Sequence, residues 1–291
     1  MFRVLGFWCS VIGGSSAGGR GIASNGDGRT VWFYHTAMPI ARIPSLLGGC
    51  LLLSLALASS APRGGPATAP RAPQEAGTPT LHVPSVEDFP VTGRGDDPGW
   101  RTVPWTALNP RGAAEAPVTR IKVAYSATGL YVFMDAADTR LTATFEEDFS
   151  DLWKEDVFEA FLWPDERDPL YFEYEVSPLG RELPILIPNL DGHFLGWRPW
   201  HYGGDRRVRH ETTVVGGPRE SGAAIDGWRA EIKIPYALLT PLRNVPPAAG
   251  TRWRANFYRV DHDGGKPVSW DWARVGRTFH EFRRFGTLVF E

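Results

Sequence analysis

Cysteine is nearly absent. Cys9 and Cys50 are the only two in 291 residues, so the stretch after residue 50 cannot use disulfides, thiolate metal sites or a cysteine nucleophile. Methionine is almost as scarce, at Met1, Met38 and Met134. Charge of one sign is also missing. Thirty-one Lys and Arg against thirty-three Asp and Glu leave a net charge of −2, which gives no global field for nucleic acid or an anionic membrane surface. No glycine-rich nucleotide cradle and no His-Glu-x-x-His run occurs, and there is no internal repeat of fixed period. Carboxylates are plentiful, so spacing alone does not dismiss a paired glycosidase acid and nucleophile. A plain sandwich, however, leaves little room for a deep catalytic cleft.

What the chain has in surplus is tryptophan, twelve in all, ten of them after residue 60. Tryptophan fills cores, and it also makes flat apolar recognition surfaces. Residues 1–37 are rich in Gly and Ser without a sustained period. Met38 opens what reads as an export signal, with Arg42 as a weak positive start, an apolar run from Leu46 to Ala58, and Ala56-Leu57-Ala58 as the cleavage site. The run is short for a membrane span. On this reading residues 1–58 are presequence, with the true start at Met38. Leu47-Gly-Gly-Cys50 only loosely resembles a lipidation box, because the apolar run continues past Cys50. The product is expected to be exported, periplasmic or extracellular, without a lipid anchor or an integral span. Residues 59–80, with five prolines from Pro62 to Pro79, read as an extended linker, and 81–291 as the folded domain.

Within that domain strand signals recur between turns. Ile121, Val123 and Tyr125 alternate with polar residues, Ser126 to Gly129 turns, and Leu130 to Asp135 returns. Phe172, Tyr174 and Val176 oppose Tyr171, Glu173 and Glu175. Trp228, Ala230, Ile232 and Ile234 oppose Arg229, Glu231 and Lys233. Trp253 to Val260 and Thr287 to Phe290 add two more strands, and only Pro235 to Leu239 suggests a helical turn. The expected fold is all-β, an antiparallel, jelly-roll-like β-sandwich with little helix.

The stretch Asp151-Leu-Trp-Lys-Glu-Asp-Val-Phe-Glu-Ala-Phe-Leu162 carries the clearest chemistry. It sets Trp153 at the mouth of a strand on which Val157, Glu159 and Phe161 share one face. A carboxylate among apolar neighbours needs a partner: a protein arginine, a metal ion or ligand hydroxyls. Ser269-Trp-Asp-Trp272, Phe279-His280 and Phe285-Gly286 place further aromatics in loop-like segments. Two aromatic walls can hold the apolar face of a pyranose, and a carboxylate between them can accept hydroxyl hydrogen bonds. The same aromatics could equally be core. Asp261-His-Asp263-Gly resembles the start of a calcium loop, but Trp272 stands where the loop's twelfth-position Glu belongs, so a β-turn is expected. Arg94-Gly-Asp96 reads as a chance match to an adhesion tripeptide.

Asp151-x-Trp153-x-x-Asp156-x-x-Glu159 resembles the signature of family 9 carbohydrate-binding modules. Gly129-Leu-Tyr-Val, Gly227 to Pro235, Asn256-Phe-Tyr-Arg259, Val268-Ser-Trp270, and Phe279-His280 ahead of Phe285-Gly286 follow in the family's order. The resemblance covers roughly residues 85–291. It implies a non-catalytic sandwich that binds plant-type oligosaccharide or polysaccharide of the xylan and cellulose class. It also implies structural calcium, for which Glu146-Glu-Asp148 and Asp165 to Asp168 offer acidic loops. The implied sugar-binding residues are Trp153, Glu159, Glu175, Trp270, Phe279 and His280. Phe279 stands where the family has a second Trp, and Glu175 where well-known members have a sugar-contacting Arg, and a carboxylate cannot make an arginine's donor contacts. A separate glycoside hydrolase is the partner this implies.

Two other classes compete. Related sandwiches bind haem for electron transfer, and Met134 is the candidate axial ligand here. A surface interaction domain without a sugar site is the third reading.

Overall fold

The computed structural model describes residues 77–112, 116–190, 193–263 and 265–291, with two short strands earlier in the chain. Those are β1 (Ile22–Ser24) and β2 (Thr30–Trp32), an antiparallel pair inside a unit spanning Met1–Pro66. The expected export signal, its cleavage site and Cys50 lie outside the described residues, as does the linker before Gly77. No helix among the described residues is long and apolar enough to cross a membrane.

The second unit, Ala67–Glu291, is built on two sheets. The larger runs in the order β11 (His193–Phe194), β10 (Glu182–Leu190), β9 (Leu170–Val176), β8 (Val157–Trp163), β15 (Arg252–Asp261), β16 (Val268–Asp271) and β5 (Asn109–Pro110). β12 (Arg198–Pro199) also pairs with β10, β17 (Gly286–Phe290) pairs with β15, and β3 (Thr80–Val83) runs parallel to β17. That parallel pair is the departure from a purely antiparallel arrangement. The second sheet is β13 (Arg209–Val215), β14 (Gly227–Pro235), β7 (Gly129–Ala137), β6 (Thr119–Tyr125) and β4 (Thr106–Ala107). The helical turn at Tyr236–Leu239 forms as its sequence suggests.

Period-two alternation decides what faces the core. Phe158, Ala160 and Leu162, then Phe172, Tyr174 and Val176, point from the larger sheet into a core shared with Trp228, Ala230, Ile232 and Ile234 from the smaller one. The opposite face of the larger sheet is not solvated. Val157, Phe161, Tyr171, Ile185, Tyr258 and Phe285 form a second apolar layer there, under loops carrying Leu152, Val275 and Phe282. Every residue of β8 is therefore buried, and a polar side chain on that outer face is removed from water too.

β10 gave no clear strand signal, because it contains Pro184 and Pro188. Both are tolerated because their carbonyls, not their missing N–H groups, carry the neighbouring contacts: Pro184 O accepts from Trp200 N and Pro188 O from Leu195 N.

Two other deeply buried charges, Arg259 and Glu231, have several partners each. Arg259 is fully buried on β15 and crosses to the other sheet, donating through Nη1 to Thr119 Oγ1 and Ala137 O. Its Nη2 lies 2.9 Å from both Asp138 and Asp261. Glu231 is just as deep, yet it accepts from Thr92 N, Gly93 N, Gly95 N and Trp100 Nε1. Gly95 takes φ +64°, and a Cβ there would lie 2.1 Å from the Phe133 ring, so this loop closes on the sheet only with glycine. In the same loop Arg94 and Asp96 bind each other.

Candidate functional site

The Asp151 to Glu159 signature becomes three devices. Trp153 rides on a single 3₁₀ turn, Leu152–Lys154, anchored by the buried Leu152 and flanked by an exposed Lys154–Asp151 ion pair. Asp156 ties two loops together, accepting from Thr142 N at 2.6 Å and His262 N at 2.8 Å. Burial pushes its carboxyl up to about 7. Glu159 follows three residues on, between Val157 and Phe161 on the strand's outer face, as the alternation predicts.

That face opens into a cavity of about 340 Å³. Trp153, Trp197, Phe194, Phe279 and His280 line it, with Glu159, Glu173 and Glu175 among its other lining residues. Phe279 is held from beneath, its ring stacked on Tyr258 at 4.0 Å and its carbonyl accepting from the Tyr258 hydroxyl. Arg111 pins the same loop through Val275 O and Gly276 O. Trp153 meets Trp197 edge-on at 6.0 Å. His280 stacks on Phe194 at 4.2 Å, and its Nδ1 lies 2.7 Å from the Tyr171 hydroxyl. Burial lowers His280 to about 4, so the ring is neutral at pH 7. With Tyr171 donating to Nδ1, the remaining proton sits on Nε2.

The three glutamates are the unusual feature. Glu159 is 2%, Glu173 3% and Glu175 1% exposed, and no lysine or arginine lines the cavity with them. Glu173 Oε2 and Glu175 Oε2 have no hydrogen-bond partner. Burial, reinforced by mutual repulsion, pushes all three carboxyls well above the usual range. In Glu175 a backbone hydrogen bond from Trp153 opposes that rise.

Five of the six residues expected from the sequence thus meet at one cavity: Trp153, Glu159, Glu175, Phe279 and His280. Trp270 is the correction. It is fully buried in the core between the sheets, with the Arg259 guanidinium 4.4 Å above its ring, because its place on β16 turns it inward. Three further residues join the site. Glu173 was legible as sharing the Glu175 face. Phe194 and Trp197 belong to a glycine-punctuated segment without period and carried no sequence signal.

In the acidic loops expected to hold calcium, three carboxylates have protein partners. Arg167 grips Asp165, the Arg243 backbone N–H donates to Asp168, and Asp148 accepts from Glu182 N. Among the described residues the carboxylates that converge are instead Asp138, Asp261 and Asp263, with ligand oxygens within 4.8 Å of one another. Asp263 is a turn residue and Gly265 takes φ +72°, in keeping with the expected turn. Asp263 Oδ1 is buried without a partner, and an all-carboxylate donor set suits a hard cation. Met134, the candidate haem ligand, is fully buried in the core between the sheets.

This arrangement defines a class, a β-sandwich with an aromatic and carboxylate cavity on one sheet face. Its fold is that of family 9 carbohydrate-binding modules. One such module from Caldicellulosiruptor kristjanssonii, solved with cellotriose, superposes with a TM-score of 0.51 at 18% identity over 73% of this chain and 93% of that one. With glucose bound the values are 0.52, 17%, 73% and 95%. A Bacteroides uniformis protein provisionally described as carbohydrate-binding gives 0.60 at 18% identity, over 74% of this chain and all of that one. No family model matches the chain. An extracellular protein of Arthroderma benhamiae is 29% identical over 153 residues, 50% of this chain and 64% of that protein. The match therefore spans less than two-thirds of the relative.

Proposed function

We propose that the chain is an exported, non-catalytic carbohydrate-binding protein whose cavity takes plant-type oligosaccharide or polysaccharide ends of the xylan and cellulose class. One observation carries this reading: buried carboxylates without a cation stand among aromatic rings in one cavity. Sugar hydroxyls are donors that such acceptors lack, and the rings supply the apolar surface that a pyranose face requires. Trp153 and Phe279 act as stacking surfaces, Glu159, Glu173 and Glu175 as acceptors, and His280 Nε2 as a donor. A separate glycoside hydrolase would work on the polysaccharide so held. The bound ligands of the structural neighbours and the extracellular relative support the reading.

Calcium, where it binds, is held by Asp138, Asp261 and Asp263, tying the end of β7 to the end of β15. The test of the sugar reading is calorimetric titration of the purified chain with xylo- and cello-oligosaccharides beside Trp153→Ala. Binding lost in a variant that still unfolds cooperatively supports it. No binding by wild type to either series removes the xylan and cellulose class as the ligand.

A further inference from the structure

The glutamate cluster points past the neutral xylan and cellulose class to a charged sugar, and this step rests only on the reading of the cavity as a sugar site. Glu159 pairs directly with Glu175 across β8 and β9, and Glu173 lies two residues along the same face. Three carboxyl groups thus crowd one floor. Elsewhere in the protein a carboxylate at this depth is compensated: Glu231 has donors from a loop, and Asp138 and Asp261 share Arg259. Here Glu173 Oε2 and Glu175 Oε2 are left without partners.

The surroundings supply no hidden cation. His280 is neutral and its Nδ1 is 3.8 Å from Glu173. Tyr171 and Tyr258 are buried, with hydroxyls held protonated. Arg111 stands 5.4 Å from the Phe279 ring, but its guanidinium is bound to Asp271, Val275 O and Gly276 O. Lys154, 5.7 Å from the Trp153 ring, is paired with Asp151, which itself adds to the negative field at Glu175. A neutral sugar offers hydroxyl donors but no charge to favour the ionised carboxyls, and a uronic acid would oppose their ionisation. An ammonium group has three N–H donors and one positive charge, and the cluster offers it acceptors on two adjacent strands.

We propose that this cavity selects a sugar bearing a free amine, a glucosamine-type residue whose ammonium group sits among Glu159, Glu173 and Glu175 while its ring lies against the aromatic lining. Binding then displaces protons that the crowded carboxyls hold in the free protein.

Three β-1,4 trisaccharides that differ only at C2 test this on the full chain: the fully deacetylated glucosamine trimer, its N-acetylated counterpart, and cellotriose. Titrations are run at about pH 6, where the amine is charged, in two buffers of different ionisation enthalpy. The expected result is at least about tenfold tighter binding of the amine trimer than of cellotriose, with buffer-dependent heat showing proton release. Glu173→Gln and Glu175→Gln should each lower the ratio of amine to cellotriose affinity, which a merely structural role would leave unchanged. Cellotriose binding as tightly as the amine trimer, or tighter, overturns the amine preference and leaves the sugar site standing. Failure of all three trimers and of xylo-oligosaccharides overturns the sugar reading itself, and the inference with it.

Discussion

Glu159 and Glu175 face each other directly across two hydrogen-bonded strands, each nearly without solvent exposure and neither with a cationic partner. Like charges opposed in a sheet are destabilising, and burial compounds the cost. Protonation relieves part of that cost, since burial holds both carboxyls well above the usual range, and the pair lines the cavity and not the core between the sheets.

Stability should therefore depend on pH in an unusual direction. Glu159, Glu173 and Glu175 bind protons more tightly folded than unfolded. Their contribution is present in acid, below the ordinary glutamate range, and is lost as pH rises through their raised folded values. Without ligand or calcium, the melting temperature should fall between about pH 5 and pH 8. Glu175→Gln should flatten that slope and stabilise the protein at the alkaline end, by about 1.4 kcal/mol for each unit by which the folded carboxyl was raised. Thermal melts across pH, wild type beside variant, check it. A profile that rises with pH would contradict the buried cluster.

Trp153→Ala should weaken oligosaccharide binding by about tenfold or more while the domain stays folded. The side chain is half-buried on a 3₁₀ turn that Leu152 anchors independently. Trp270→Phe provides the contrast. It truncates a fully buried ring under Arg259, so denaturant midpoints should fall while affinity in the folded fraction holds.

Arg259→Ala should cost about 3–5 kcal/mol of unfolding free energy. It strands Asp138 and Asp261 in the interior and removes hydrogen bonds that join the two sheets. Urea denaturation at neutral pH measures this.

Calcium should raise the melting temperature and a chelator lower it, with Asp263→Asn abolishing the response. Saturation at 100 times the dissociation constant adds about 2.7 kcal/mol. Because burial lifts Asp138 to about 7, protons compete with the metal, and the calcium effect should be larger at pH 8 than at pH 6. No difference between calcium and chelator would remove the cation from this cluster.

Much of the architecture was legible in the residues alone. Alternation with period two is a local property, so the inward faces of β8, β9 and β14 could be read directly, and with them the common face of Glu173 and Glu175. The helical turn at Tyr236–Leu239 and the hairpin joining β6 to β7 were legible for the same reason. What alternation cannot report is whether a strand's other face meets water. Here loops carrying Leu152, Val275 and Phe282 cover it, and that cover turns three surface-looking glutamates into a buried cluster without a cation. Nor could spacing bring Phe194 and Trp197 to Trp153, send Trp270 to the core, or gather Asp138 with Asp261 and Asp263 across more than a hundred residues. Local residue order sets the strands, their faces and the kinds of side chain available. Which of those side chains share a cavity, and which charges lack a counter-charge, follows from packing, because desolvation and pairing are properties of the folded chain and not of any local stretch.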